Sequence, residues 1–176
     1  MKKVAILATD GFEQSELLEP RKALQDAGYE TDIISIKEGK IKGWTEDNWG
    51  EQLDVAATAG EVKAKDYAAL VIPGGVMNPD KLRMDKDAVK LVKDFNKNNL
   101  PIAAICHAGW VLIDAGIANG KKLTSYKSIK PDMVHAGANW VDKKVVIDGN
   151  LITSRNPDDI PAFNDAILKA LKQQAI

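Results

Sequence analysis

Three stretches of this chain are apolar without interruption over the length of a β-strand: residues 4–8 (Val4-Ala5-Ile6-Leu7-Ala8), 68–72 and 101–105. A strand with one wet face alternates apolar and polar residues. An uninterrupted run needs cover on both faces, the situation of a parallel sheet with helices above and below. Amphipathic stretches lie between these runs, so the chain reads as successive βαβ units. The sequence therefore predicts an α/β three-layer sandwich with a mostly parallel central sheet, formed by residues 1–176 as a single domain. A length of 176 residues with 45% hydrophobic content suits one core of that kind.

The turn Asp10-Gly11 follows the first run, and a helical pattern covers residues 13–27 until Gly28. Residues 31–36 read as the second strand. Residues 38–58 read as irregular, with Trp44 and Trp49 in a polar setting. Pro73-Gly74-Gly75 ends the run at 68–72, and 86–98 is a charged amphipathic helix. A helix over 107–115 is closed by Gly116. Residues 145–153 read as a hairpin with a turn at Asp148-Gly149. Pro157, with Asp158 and Asp159 beside it, opens a final helix, since proline and acids suit a first turn. No repeat, linker or low-complexity segment interrupts this pattern.

Charge excludes several roles. With 28% charged residues, a net charge of −1 and no basic run interleaved with aromatics, neither nucleic acid nor an acidic membrane is an expected partner. No apolar stretch approaches membrane-spanning length. After Met1-Lys2-Lys3 the apolar run stops at Thr9-Asp10-Gly11, too short for a signal-peptide core. One cysteine permits no internal disulfide and suits a reducing compartment, so a cytoplasmic protein is expected. Two histidines and one cysteine offer few soft ligands, so neither a metal nor a cofactor is expected.

Chemistry concentrates at Ala104-Ile105-Cys106-His107-Ala108-Gly109, where a buried strand meets a helix with almost no loop. A side chain at such a junction stands above the carboxyl edge of the sheet, where open α/β sheets bind ligands. The small residues Ala108 and Gly109 relieve crowding at the elbow, and a helix N-terminus beside the sulfur favours thiolate. A lone cysteine in an apolar run is also a common small core residue. His135 reads as structural, at the end of a short helix. Pro73-Gly74-Gly75 lets backbone approach a ligand, so the N–H groups of Gly75 and His107 can form an oxyanion hole; a plain turn is the simpler reading. Glu13 and Glu16 share a helix face at the same edge and fit either helix capping or a contact with the thiol. A carboxyl beside a thiolate has a raised pKa and, protonated, donates to the sulfur.

On these residues the sequence closely resembles the PfpI family of intracellular protease I-like proteins. The likeness is carried by Phe12-Glu13-Gln14-Ser15-Glu16-Leu17, Ile72-Pro73-Gly74-Gly75, Ala104-Ile105-Cys106-His107, Ala136-Gly137-Ala138-Asn139-Trp140-Val141-Asp142 and Thr153-Ser154-Arg155-Asn156-Pro157-Asp158-Asp159. It extends more distantly to the Parkinson-associated deglycase and to class I glutamine amidotransferase domains, and implies a flavodoxin-like sheet order. It makes Cys106 the nucleophile, His107 its neighbouring histidine, Glu16 the carboxyl at the sulfur and Gly75 an oxyanion-hole glycine. It also implies a homodimer or higher oligomer in which Asp80 reaches His107 of a neighbouring subunit. The family usually follows Cys-His with Gly-Pro; Ala108-Gly109-Trp110 stands here instead, which changes the wall beside the elbow.

The resemblance implies a cysteine-dependent hydrolase: an intracellular peptidase, a deglycase acting on carbonyl adducts such as those of methylglyoxal, or both. The substrates are then peptides or small carbonyl compounds, with a stress-protective role. The alternative is a non-enzymatic redox sensor or holdase, since an exposed low-pKa thiol oxidises readily. Amidotransferase chemistry wants a late His-x-Glu pair, and His135 is followed by Ala136 and Gly137.

Overall fold

The computed structural model describes residues 2–174. Its first half runs β1 (Lys3–Leu7), β2 (Phe12–Glu13), α1 (Gln14–Asp26), β3 (Glu30–Ser35), β4 (Lys40–Thr45), β5 (Asn48–Asp54), β6 (Ala57–Thr58), β7 (Ala69–Ile72) and α2 (Met77–Leu82). The second half runs α3 (Lys86–Lys97), β8 (Ile102–Ile105), α4 (Gly109–Asp114), β9 (Lys122–Leu123), α5 (Lys130–His135), β10 (Asn139–Trp140), β11 (Val146–Asp148), β12 (Leu151–Ser154) and α6 (Ile160–Gln174).

Seven strands form the central sheet in the order β11-β12-β8-β7-β1-β3-β6. Every pairing is parallel except β11 with β12 at one edge. The apolar runs are uninterrupted because both faces are covered. In β7, Leu70 and Ile72 join a core with Leu91, Phe95 and Val111 from α3 and α4. Val71 joins the opposite core, with Leu17, Leu24, Phe163 and Ile167 from α1 and α6. Each fully buried side chain of this size stabilises the fold by about 1.5–3 kcal/mol. Among the described residues no helix is long and apolar enough to cross a membrane.

The helices over 13–27 and 86–98 and the second strand lie within a residue or two of their expected bounds. The closing hairpin also forms, but its loop is Gly149-Asn150, since Asp148 still pairs with Leu151. The region expected to be irregular is an antiparallel hairpin, β4 with β5, which β2 joins as a third strand. Trp44 and Trp49 pair across it edge to face, with centroids 5.2 Å apart. Its turn, Glu46-Asp47, has no glycine; Glu46 itself takes the left-handed conformation at φ 37°. A hairpin without Asn-Gly or Asp-Gly gives little sequence signal.

β1 leads outward to β3 and β6, whereas β7 lies on its other side and leads to β8. The chain thus reverses direction across the sheet between β1 and β7. At such a switch point the following loops part and leave a crevice above the carboxyl edge.

Candidate active site

Three segments meet at this crevice: the start of α1 after β1, the Pro73-Gly74-Gly75 turn after β7, and Cys106 after β8. Cys106 takes φ 64°, in the left-handed region, between β8 and a single 3-10 turn, Cys106–Ala108. For a residue with a Cβ this conformation costs about 1–3 kcal/mol, and it turns the thiol out of the strand. His107 Nδ1 lies 3.2 Å from Cys106 Sγ. The N–H groups of Gly75 and His107 are directed at the sulfur.

Glycine is required twice at the turn, for different reasons. Gly75 has φ 82°, and a Cβ there would stand 2.5 Å from the Gly11 carbonyl oxygen. At Gly74 the constraint is space alone: a Cβ would stand 2.5 Å from Glu16 Oε1 and 2.6 Å from Cys106 Cβ.

Glu16 is wholly buried. Its Oε1 accepts the Gly74 N–H at 2.8 Å, and its Oε2 makes no hydrogen bond among the described residues. Burial pushes its pKa up to about 8; the Gly74 N–H opposes this, the Glu13 carboxylate adds to it, and contact with the Cys106 thiol lowers it again. The carboxyl is therefore mostly protonated at neutral pH. Burial also pushes the Cys106 thiol up, as does the Glu16 carboxylate when charged, while the N–H groups of His107 and Gly75 pull it down. The expected depression by a helix N-terminus does not dominate. α4 is only six residues long and starts three residues past the sulfur. Burial likewise lowers the pKa of His107, with Asp132 opposing, so the ring is neutral at pH 7.

A cavity of about 560 Å³ opens over the sulfur, lined among others by Glu13, Glu16, Gly75, Met77, His107, Tyr126 and Pro157. Trp44 also lines it, so that indole borders the site, in addition to pairing with Trp49. A second concavity of about 470 Å³, at the amino edge of the sheet, has no thiol, hydroxyl or carboxylate side chain in its lining. Among the described residues no three His, Cys, Asp or Glu side chains cluster as a metal site.

A model of the DJ-1/PfpI family matches residues 2–170. The chain belongs to the DJ-1/PfpI family. It is 44% identical over 174 residues to "General stress protein 18" of Bacillus subtilis, covering 98% of this chain and 99% of the relative. It is 43% identical over 172 residues to "Putative cysteine protease YraA" of the same organism, covering 97% and 99%. To "Deglycase PfpI" of Pyrococcus furiosus it is 38% identical over 170 residues, covering 97% and 99%. Among solved structures, a two-domain protein of Anabaena variabilis with DJ-1/ThiJ/PfpI-like and ferritin-like domains superposes with a TM-score of 0.91 at 39% identity. That match covers 98% of this chain and 48% of the two-domain chain.

Of the residues singled out from the DJ-1/PfpI resemblance, Cys106, His107, Glu16 and Gly75 come together. Asp80 does not join them within one chain: it is exposed on α2 and is not among the cavity residues. His135 ends α5, exposed and away from the cavity. Two neighbours of His107 had no sequence signal. Ser128 Oγ lies 3.2 Å from His107 Nε2, and the Tyr126 ring stacks on the imidazole at 4.9 Å. Trp110, in the segment that departs from the DJ-1/PfpI pattern, meets the imidazole edge to face at 5.2 Å and donates to Asp132. The second half of the motif set forms a brace. Arg155 donates from Nε and Nη2 to the buried Asp159 and from Nη1 to Asp142, fixing the loop that carries Pro157 to the cavity.

Proposed function

We propose that this DJ-1/PfpI protein is a cysteine-dependent hydrolase with Cys106 as nucleophile, acting on peptides or on carbonyl adducts such as those of methylglyoxal. The observation that carries this reading is the left-handed elbow: it holds the sulfur beside the imidazole and under two N–H donors. In the opening step the thiol proton passes to His107 Nδ1 and sulfur bonds to the carbonyl carbon. The C=O π pair moves to oxygen, which accepts from Gly75 and His107. With an amide, the carbonyl then re-forms and the amine leaves with the proton from His107, giving a thioester that water cleaves. Glu16, neutral at pH 7, donates to sulfur as it gains charge. The names of the relatives YraA and PfpI support the hydrolase class. A panel of peptide amides, methylglyoxal and methylglyoxal adducts, each with wild type and Cys106→Ser, tests it: turnover of at least one class is expected, abolished in the variant.

A second reading is a redox-sensing or holdase stress protein, a role suggested by the likeness to General stress protein 18. The neutral carboxyl of Glu16 favours it, because it can donate to an oxygen added to sulfur, which an ionised carboxyl would repel. Under this reading Cys106→Ser removes oxidation-linked protection, and wild type turns over nothing in the panel.

A further inference from the structure

Asn78 is the second residue of α2 and is wholly buried, yet it lines no part of the cavity. Its amide makes three hydrogen bonds. Oδ1 accepts from the Thr9 N–H at 2.7 Å. Nδ2 donates to the carbonyl oxygens of Pro73 at 2.9 Å and Gly74 at 3.2 Å. The partners fix which end is oxygen: Thr9 N–H can only donate, and the two carbonyls can only accept. The side chain therefore ties the ends of β1 and β7, the strands flanking the crevice.

The bond to Gly74 has a consequence for the sulfur. In a trans peptide the carbonyl and the next N–H point in opposite directions. The Gly74 oxygen is held by Asn78 Nδ2 and by the Glu13 N–H at 3.2 Å. The N–H of Gly75, on the far side of the same peptide, points the other way and reaches the Cys106 sulfur. Two successive glycines make this peptide easy to turn over, because neither flank carries a Cβ to resist rotation. Its orientation must be held by hydrogen bonds.

We infer that Asn78 is a positioning residue for the oxyanion hole: by holding the Gly74 carbonyl it presents the Gly75 N–H to the sulfur and to the substrate oxygen. Its kinetic side rests on the hydrolase reading; its effect on the thiol does not. Asn78 never touches substrate, so its removal acts on the transition state and hardly on binding.

The test uses Asn78→Ala and Asn78→Leu, both neutral, so neither adds a charge near the thiol. Removing an oxyanion donor outright costs about 10²–10³ in kcat. Because the Glu13 N–H still holds the Gly74 oxygen, a loss of about ten- to a hundredfold in kcat is expected, with KM nearly unchanged. The pH profile of Cys106 alkylation by iodoacetamide should move up by about one unit, as expected for losing one hydrogen bond to a charged group. In wild type, the amide proton resonance of Gly75 should shift as Cys106 ionises, and this shift should vanish in Cys106→Ser. Folded variants that lose only stability, with the alkylation profile of wild type, would overturn the proposal. So would a Gly75 amide that ignores ionisation of the thiol, a result that needs no Asn78 variant to fold. If wild type turns over no substrate, the hydrolase reading falls, and alkylation and the amide shift still decide the role of Asn78.

Discussion

Ser128 Oγ sits 3.2 Å from His107 Nε2, so the imidazole beside Cys106 has an orienting partner within its own chain. With Ser128 on Nε2 and sulfur on Nδ1, both ring nitrogens are engaged, and Tyr126 stacks on the ring face. Ser128 is exposed, so its replacement leaves the core intact. Ser128→Ala should lower kcat about two- to tenfold, the worth of one neutral hydrogen bond, and leave the urea midpoint unchanged. Steady-state kinetics with a substrate from the panel, alongside urea unfolding, checks both halves.

Glu16 makes stability depend on pH in an unusual direction. Its carboxyl titrates near 4.5 in the unfolded chain and at about 8 in the folded one. Between these values the unfolded chain releases the proton while the folded chain keeps it, so rising pH favours unfolding. The contribution is complete below pH 4.5 and is lost as pH rises through 8. Wild type should lose stability on the order of a few kcal/mol across this window. Glu16→Gln keeps an acceptor for the Gly74 N–H and should flatten the slope. Urea midpoints at pH 5 and pH 8.5 for both proteins supply the comparison.

Gly74→Ala probes close approach rather than backbone freedom. A Cβ there would also stand 2.8 Å from the Ile105 carbonyl oxygen, and backbone cannot swing aside as a side-chain tip can. The variant should be less stable by about 1–3 kcal/mol, the usual range for overpacking, and its alkylation rate at Cys106 should change as well. Unaltered stability and thiol reactivity together would mean that the turn and the elbow are not packed as described.

The sharing of Asp80 between copies remains a proposal that the exposed position of this residue permits. Mixing Cys106→Ser with Asp80→Ala under subunit exchange should restore activity, because a hybrid dimer holds one doubly defective site and one intact site. Full activity of Asp80→Ala alone, or none recovered after proven exchange, would rule the sharing out; Ser128, Tyr126 and Trp110 of the same chain would then orient the ring.

What the sequence disclosed follows from burial. Runs such as Ala69–Ile72 and Ile102–Ile105 have no polar residue because both faces are covered, so the sheet and the position of Cys106 at its edge were legible. The β4–β5 hairpin was not, because Glu46 adopts a left-handed turn conformation that glycine or asparagine usually signals. Ser128 and Tyr126 reach His107 from about twenty residues along the chain, through a loop with no periodicity. Asn78 carries no sequence signal, because a buried asparagine in a short helix looks like any polar residue until its three partners are known. A helix after the elbow predicts a thiol eased toward ionisation, but that helix is short and burial of the sulfur is deep.

The left-handed backbone at Cys106 has a practical consequence. Glycine suffers no steric penalty at this angle, so Cys106→Gly should yield a protein both inert and harder to unfold than the parent. Such a reference separates catalysis from bulk surface behaviour. Any protection of client proteins that survives in it belongs to the outside of the molecule, and any that vanishes belongs to the sulfur.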